Sequence, residues 1–162
     1  MSQTHGNSAG FAPSTRAFIF DGATTTFAVT GQKSDGAIAI IHAILPPGAG
    51  SAPHLHSREA ETAYVLKGVL QIETGGETIE LHAGCAMVLP RSVPHRLSNV
   101  SNKETRMLLI CTPSGFENLV RESAEFLEER GVTDGRPGEE HKVEFEKLVR
   151  KHGVSIVSEN LL

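Results

Sequence analysis

The sequence predicts an all-β barrel or sandwich that is followed by two helices. Three observations carry this reading. Short β-rich runs recur between turn signals from residue 17 to residue 112. Gly75-Gly76 separates two alternating runs, and glycine tolerates the positive φ angles of a two-residue hairpin. After residue 113 the apolar spacing changes from two to between three and four.

The elements follow in order. Residues 1–14 are small and polar, with Gly6, Gly10 and Pro13, and read as a flexible N-terminal arm. Strands are expected over 17–20, 24–30, 37–45, 63–67, 69–74, 77–81, 86–89, 95–100 and 106–112. The breaks are Asp21-Gly22, Ser34-Asp35-Gly36, Pro46-Pro47-Gly48, Gly75-Gly76 and Ser101-Asn102. Many short strands at this spacing argue for a closed or two-layered β structure. Ser114 and Glu117 have the spacing of a capping box. Phe116, Leu119, Val120, Ala124 and Leu127 then mark one helix, which Gly131 stops. A second helix is expected from about Glu139 to His152, with Val143, Phe145, Leu148 and Val149 as its apolar side. The segment 154–162 could add one more strand. The expected division is an arm over 1–14, a β-barrel over 15–113 and a helical extension of the same domain over 114–162.

The 162 residues suit one domain with a sizeable core. The net charge is −4 and no basic stripe exists, which argues against a nucleic-acid partner. No apolar run is long enough to span a bilayer, and the start carries no signal-peptide pattern. Cys85 and Cys111 lie in apolar, strand-like runs and read as reduced, buried thiols. A cytoplasmic protein is the expectation.

Two segments carry the chemistry. One holds Gly48, His54, His56, Glu61 and Gly68; the other holds Gly84, Pro90, His95 and Asn99. Strand residues two apart share a face, so His54 and His56 can enter one interior together. A bend after His56 could bring Glu61 beside them, and Pro90 and Pro94 would fix the entry of a strand carrying His95. Three imidazoles and one carboxylate can hold a divalent transition metal and leave positions open. Fe, Mn, Co, Ni, Cu and Zn all suit these ligands. A single strand histidine is usually just a satisfied polar side chain, but four ligand types at this spacing are not explained that way. His5, His82, His141 and His152 have the bland reading of arm, turn or solvated helix residues. His42 could face either the cavity or the outer surface.

These segments resemble the two motifs of the cupin superfamily. The first motif is Gly, five residues, His-x-His, three or four residues, Glu, six residues, Gly, and Gly48 to Gly68 meets each term. The second is met by Gly84, Pro90, His95 and Asn99, with Ser92 in place of a turn glycine. The resemblance implies a cupin double-stranded β-helix, or jelly-roll barrel, with two C-terminal α-helices. It also implies His54, His56, Glu61 and His95 as ligands to one metal ion, and a homodimer.

The segment Pro53 to Glu61, the exit Thr112-Pro113-Ser114-Gly115-Phe116-Glu117 and the helical C-terminal part look like small bacterial quercetinase-like cupins. That likeness implies a metal-dependent dioxygenase that uses O2 and a small, flavonol-like hydroxy-carbonyl substrate. Glu61 would then be both a ligand and the base that takes a hydroxyl proton. Ala63, Val65, Met87, Leu97 and Leu109 would wall the substrate cavity, although ordinary core is the simpler reading for any one of them. With one Tyr and no Trp, stacking would fall to phenylalanines. Two alternatives stand: a metal-dependent isomerase or lyase, and a small-ligand-binding protein without catalysis. The helices would cover the barrel, lid its mouth or make a dimer contact.

Overall fold

A computed structural model of the protein describes residues 16–162, so the expected flexible arm and His5 lie outside the described residues. Among the described residues, eleven strands build two antiparallel sheets. They are β1 (Phe18–Phe20), β2 (Ala23–Val29), β3 (Ala39–Leu45), β4 (His54–His56), β5 (Ala60–Lys67), β6 (Val69–Thr74), β7 (Glu77–His82), β8 (Ala86–Leu89), β9 (His95–Ser98), β10 (Thr105–Thr112) and β11 (Val154–Ile156). The larger sheet runs β1-β2-β3-β10-β5-β8 and the smaller β11-β4-β9-β6-β7. Helices α1 (Phe116–Glu128) and α2 (Lys142–Lys151) fall between β10 and β11. This is the jelly-roll layout with two late helices.

Alternation sets the two layers. Along β3, Ala39, Ile41, Ala43 and Leu45 are buried while Ile40, His42 and Ile44 are only partly so. The inward face of one sheet meets Leu70, Ile72 and Leu97 of the other in a single core. His42 therefore sits on the outward face of its sheet. Two tight hairpins fix register. Gly75 and Gly76, at φ 61° and 80°, join β6 to β7. Asp21 and Gly22, at φ 51° and 76°, join β1 to β2, with Phe20 paired to Ala23. Both turns place two successive residues in the left-handed region, whose twist matches that of the strands they connect.

Several expectations are corrected. The N-cap of α1 is Gly115, not Ser114, and no side chain caps it. Ser114 instead donates its hydroxyl to the Gly36 carbonyl. Half of the capping box survives, because the Gly115 N–H donates to Glu117 Oε2 at 2.8 Å. Glu117 is buried, and its other oxygen accepts the Gly31 N–H at 2.7 Å. The carboxylate thus also ties the helix start to the loop after β2. Helix α2 begins three residues later than expected, at Lys142, and Val143 is 67% exposed, while Phe145 and Val149 are buried and Leu148 packs partly buried against the core. Cys111 is buried in β10, but Cys85 is exposed, since it closes the turn before the edge strand β8. The segment 154–162 makes the short strand β11 and a 3-10 turn over Glu159–Leu161.

The helices sit where they matter for function. Helix α1 lies against β1 and β3, and α2 lies against α1 and β11. Phe116 stacks edge-on against Phe20 at 5.8 Å and against the His56 ring at 5.0 Å. The helical layer thus covers one end of the space between the sheets.

Candidate metal centre

The local fold explains how four side chains meet. Strand β4 is only three residues long, and period two points His54 and His56 the same way. His95 on β9 pairs directly with His54. Glu61 comes from the other sheet, on β5, after a bend at Ser57-Arg58. The smaller sheet therefore supplies three imidazoles and the larger sheet the carboxylate. One ligand atom from each of His54, His56, Glu61 and His95 lies within 4.8 Å of the others. The His54 and His95 ring centroids are 4.5 Å apart, and the His56 and His95 rings are nearly parallel.

Each imidazole is oriented through its outer nitrogen. His54 Nδ1 lies 2.9 Å from the Ala52 carbonyl, and His95 Nδ1 lies 3.0 Å from the Val93 carbonyl. A carbonyl can only accept, so both Nδ1 atoms carry the proton. His56 Nδ1 lies 2.7 Å from Glu59 Oε1, inside a pair that is 1% and 3% exposed. With Nδ1 engaged outward, each imidazole leaves Nε2 to the cluster. His95 Nε2 stands 3.1 Å from Glu61 Oε2, and His56 Nε2 stands 3.4 Å from the same oxygen. His56 Nε2 is buried and has no hydrogen-bond partner. Lone pairs facing a carboxylate in a buried site need a cation or a proton between them. The donor set fits a divalent transition metal on this ground.

The electrostatics agree. Burial and the neighbouring His95 lower the pKa of His54 to about 4. Burial alone would raise Glu61, but His56, the hydrogen bond with His95 and the nearby His54 together lower it to about 2. Burial opposes charge on His56, yet Glu61 and the Glu59 hydrogen bond raise its pKa. Cys111 Sγ, 3.9 Å from Glu61 Oε1, is a protonated thiol, held well above its usual pKa by burial and by Glu61. Ser92 takes φ 61° where a turn glycine was expected, and its N–H donates to the His56 carbonyl at 2.7 Å. That turn fastens the second ligand segment to the first.

His54 and Glu61 open into a largely apolar chamber. Of the five wall residues expected, Leu97 and Leu109 line it. Ala63 and Val65 share the inward face of β5 with Glu61 but are fully buried core. Met87, paired with Ala63 on the edge strand β8, packs partly buried against that core. The chamber extends the other way, towards β1, β2 and β3, where Phe20, Thr25 and Ile41 line it with Phe116 and Val120 of α1. Sequence reasoning missed these walls, because which strands face the ligands depends on sheet order. It also missed Glu59, whose signal was its place three residues after His56. The remaining histidines lie elsewhere. His82 is exposed at the end of β7 and His141 precedes α2. His152 was expected to be solvated, but its side chain is only 11% exposed and lies 3.1 Å from Glu122.

Residues 41–111 match the family model described as a cupin domain. Over 71 residues, 44% of this chain and 46% of the relative, the protein is 35% identical to polyketide synthase CurC of Streptomyces cyaneus. Over 94 residues, 57% of this chain and 28% of the relative, it is 29% identical to quercetin 2,3-dioxygenase of Bacillus subtilis. The matches span less than half the length of each of these two relatives. Among solved structures, a Thermotoga maritima protein described as a predicted oxalate decarboxylase superposes with a TM-score of 0.55 at 20% identity, covering 65% of this chain and 96% of that one. At that identity the likeness concerns the fold.

Proposed function

For a chain that carries a cupin domain over residues 41–111, we propose a metal-dependent dioxygenase that acts with O2 on a small, flavonol-like hydroxy-carbonyl compound. The observation that carries the metal is that ligand atoms of His54, His56, Glu61 and His95 lie within 4.8 Å of one another, with the buried His56 Nε2 left without a hydrogen-bond partner. His54, His56, Glu61 and His95 would hold one divalent ion, whether Fe, Mn, Co, Ni, Cu or Zn. When bound, such an ion supplies Lewis acidity, which lowers the pKa of a substrate hydroxyl beside a carbonyl. The protein supplies the rest. Phe20 and Phe116 present rings to a planar substrate, and Leu97, Leu109 and Ile41 keep water from it. The hydroxyl proton passes to a carboxylate of the chamber wall, where Glu61 and Asp21 both stand. The 29% identity to a quercetin 2,3-dioxygenase supports this substrate class.

The test begins with elemental analysis of the purified protein and of His54→Ala. One transition metal per chain in the parent and its loss in the variant are expected. Oxygen uptake with quercetin then tests the reaction. A parent that holds no metal and cannot be reconstituted would refute the proposal.

A second reading is admitted by the 35% identity to a polyketide synthase over 71 residues, a relative whose name carries no O2 chemistry. The same chamber would then serve an isomerase or lyase reaction that polarises a carbonyl without O2. Metal-dependent turnover under nitrogen would favour it, and ligand-induced stabilisation without turnover would favour a binding role. No described helix is long and apolar enough to cross a membrane. Two free cysteines suit a reducing compartment, and we propose a cytoplasmic location on that ground.

A further inference from the structure

A second chamber adjoins the first. Phe20, Asp21, Ser51, His54 and Phe116 line both, and Leu119, Phe145, Val149, Val154 and Ile156 complete the outer one beneath the helices. The shared residues form a neck between the metal cluster and the helical layer. Two carboxylates line these spaces, Glu61 in the inner chamber and Asp21 at the neck.

The two carboxylates differ in what holds them. Glu61 Oε2 faces His95 and His56, and its Oε1 faces the Cys111 thiol, so both oxygens are engaged. The Asp21 carboxylate has no hydrogen-bond partner among the described residues. Its backbone, by contrast, is clamped. The Asp21 N–H donates to the Gly135 carbonyl at 3.1 Å, and its carbonyl accepts the Gly50 N–H at 3.1 Å. The hairpin geometry, with φ 51° at Asp21, fixes the position further. Asp21 is half-buried at this neck, and Arg136 is the charge that acts on its carboxylate.

We propose that Asp21 is the proton-exchanging residue of this cavity, taking the hydroxyl proton of a bound hydroxy-carbonyl compound so that Glu61 stays a metal ligand throughout. This inference rests on the substrate class proposed above. The substrate O–H bond breaks and leaves its electron pair on the substrate oxygen. A new O–H bond forms on Asp21, where the adjacent substrate anion keeps the proton for as long as the compound is bound. No oxidant is needed for this step.

The surroundings of Asp21 support the role. Burial pushes its pKa up to about 7, against the attraction of Arg136. A carboxyl poised there exchanges protons near neutral pH. Arg136 comes from the loop before α2, lies over Gly22 and donates to the Gly48 carbonyl at 2.8 Å. His54 and Glu61 are the other titratable groups facing these chambers, while Phe116, Val120, Phe145 and Val149 bring no charge from the helices.

The experiment uses the zinc-loaded protein and 3-hydroxyflavone, since zinc carries no redox chemistry. Titration calorimetry at pH 8, in two buffers of different ionisation enthalpy, counts the protons released on binding. Asp21→Asn suits the test because asparagine accepts the left-handed turn conformation. In the parent Asp21 captures the hydroxyl proton, so the variant is expected to release about one more proton per flavonol bound. Full zinc content is expected in both proteins. Equal proton counts with bound flavonol would overturn the proposal alone. Loss of zinc in the variant would make Asp21 a support of the metal cluster and would also overturn it. A zinc-loaded parent that binds no flavonol would overturn the substrate class and this proposal together.

Discussion

The contact between Glu59 and His56 permits a quantitative test of the metal centre. Glu59 Oε1 sits 2.7 Å from His56 Nδ1, and the pair is almost fully buried. Glu59→Gln keeps the size of the side chain and an oxygen acceptor but removes the charge. A carboxylate behind a ligating imidazole fixes its tautomer and raises its basicity, and losing such a partner costs on the order of 10–100-fold in metal affinity. That corresponds to roughly 1.4–2.8 kcal/mol. The pH must be chosen with the sign in view. Glu61 and Glu59 raise the folded pKa of His56 against burial. In the metal-free protein this raised pKa contributes stability below the unfolded value of about 6.5, and the contribution is lost as pH rises through the folded value. A proton on His56 also competes with the metal. The variant relieves part of that competition, so its affinity defect is largest at pH 8 and narrows towards acid. A competition titration of Zn²⁺ against a chromophoric chelator reads both effects. Affinities within about twofold at pH 8, or a gap that widens as pH falls, would refute the reasoning.

Three further outcomes are expected. Phe116→Ala removes a ring that packs on Phe20 and His56; since Phe116 already borders a chamber, the loss should fall at the low end for such truncations, about 3 kcal/mol by urea unfolding, and a loss under about 1 kcal/mol would deny the helix its place in the core. A thiol reagent should modify Cys85 at once and Cys111 only on unfolding, because one is exposed and the other is a buried, protonated thiol; rapid modification of both would contradict this burial pattern. We also propose a homodimer through the outer face of the larger sheet, where Tyr64, Leu66 and Val88 are 37%, 45% and 59% exposed; light scattering should give twice the chain mass, Val88→Lys should lower it, and a monomer mass for the parent would refute the proposal.

Local signals in the chain were legible where they are sufficient by themselves. Gly75-Gly76 encodes its turn, the alternation of β3 encodes its buried face, and the spacing of His54, His56, Glu61 and His95 anticipates the cluster the structure assembles. What was not legible depends on partners far away in sequence. Ala63 and Val65 have the right parity to face the chamber, but the order of strands places them in the core beyond it. Ser114 has the right spacing to cap α1, but the Gly36 carbonyl claims its hydroxyl. Asp21 reads in sequence as an ordinary turn residue, and only the packing of residues 50 and 135 against it sets it at the neck.

The short strand β4 leans on a neighbour from far along the chain. A single residue pair joins it to β9, whereas β11 pairs with all three of its residues, including His56 with Val154 and His54 with Ile156. During synthesis, two of the four candidate ligands therefore have no complete scaffold until residues 154–156 have left the ribosome. If the site takes a metal as proposed, a ribosome-bound nascent chain halted before residue 154 would hold the ion weakly.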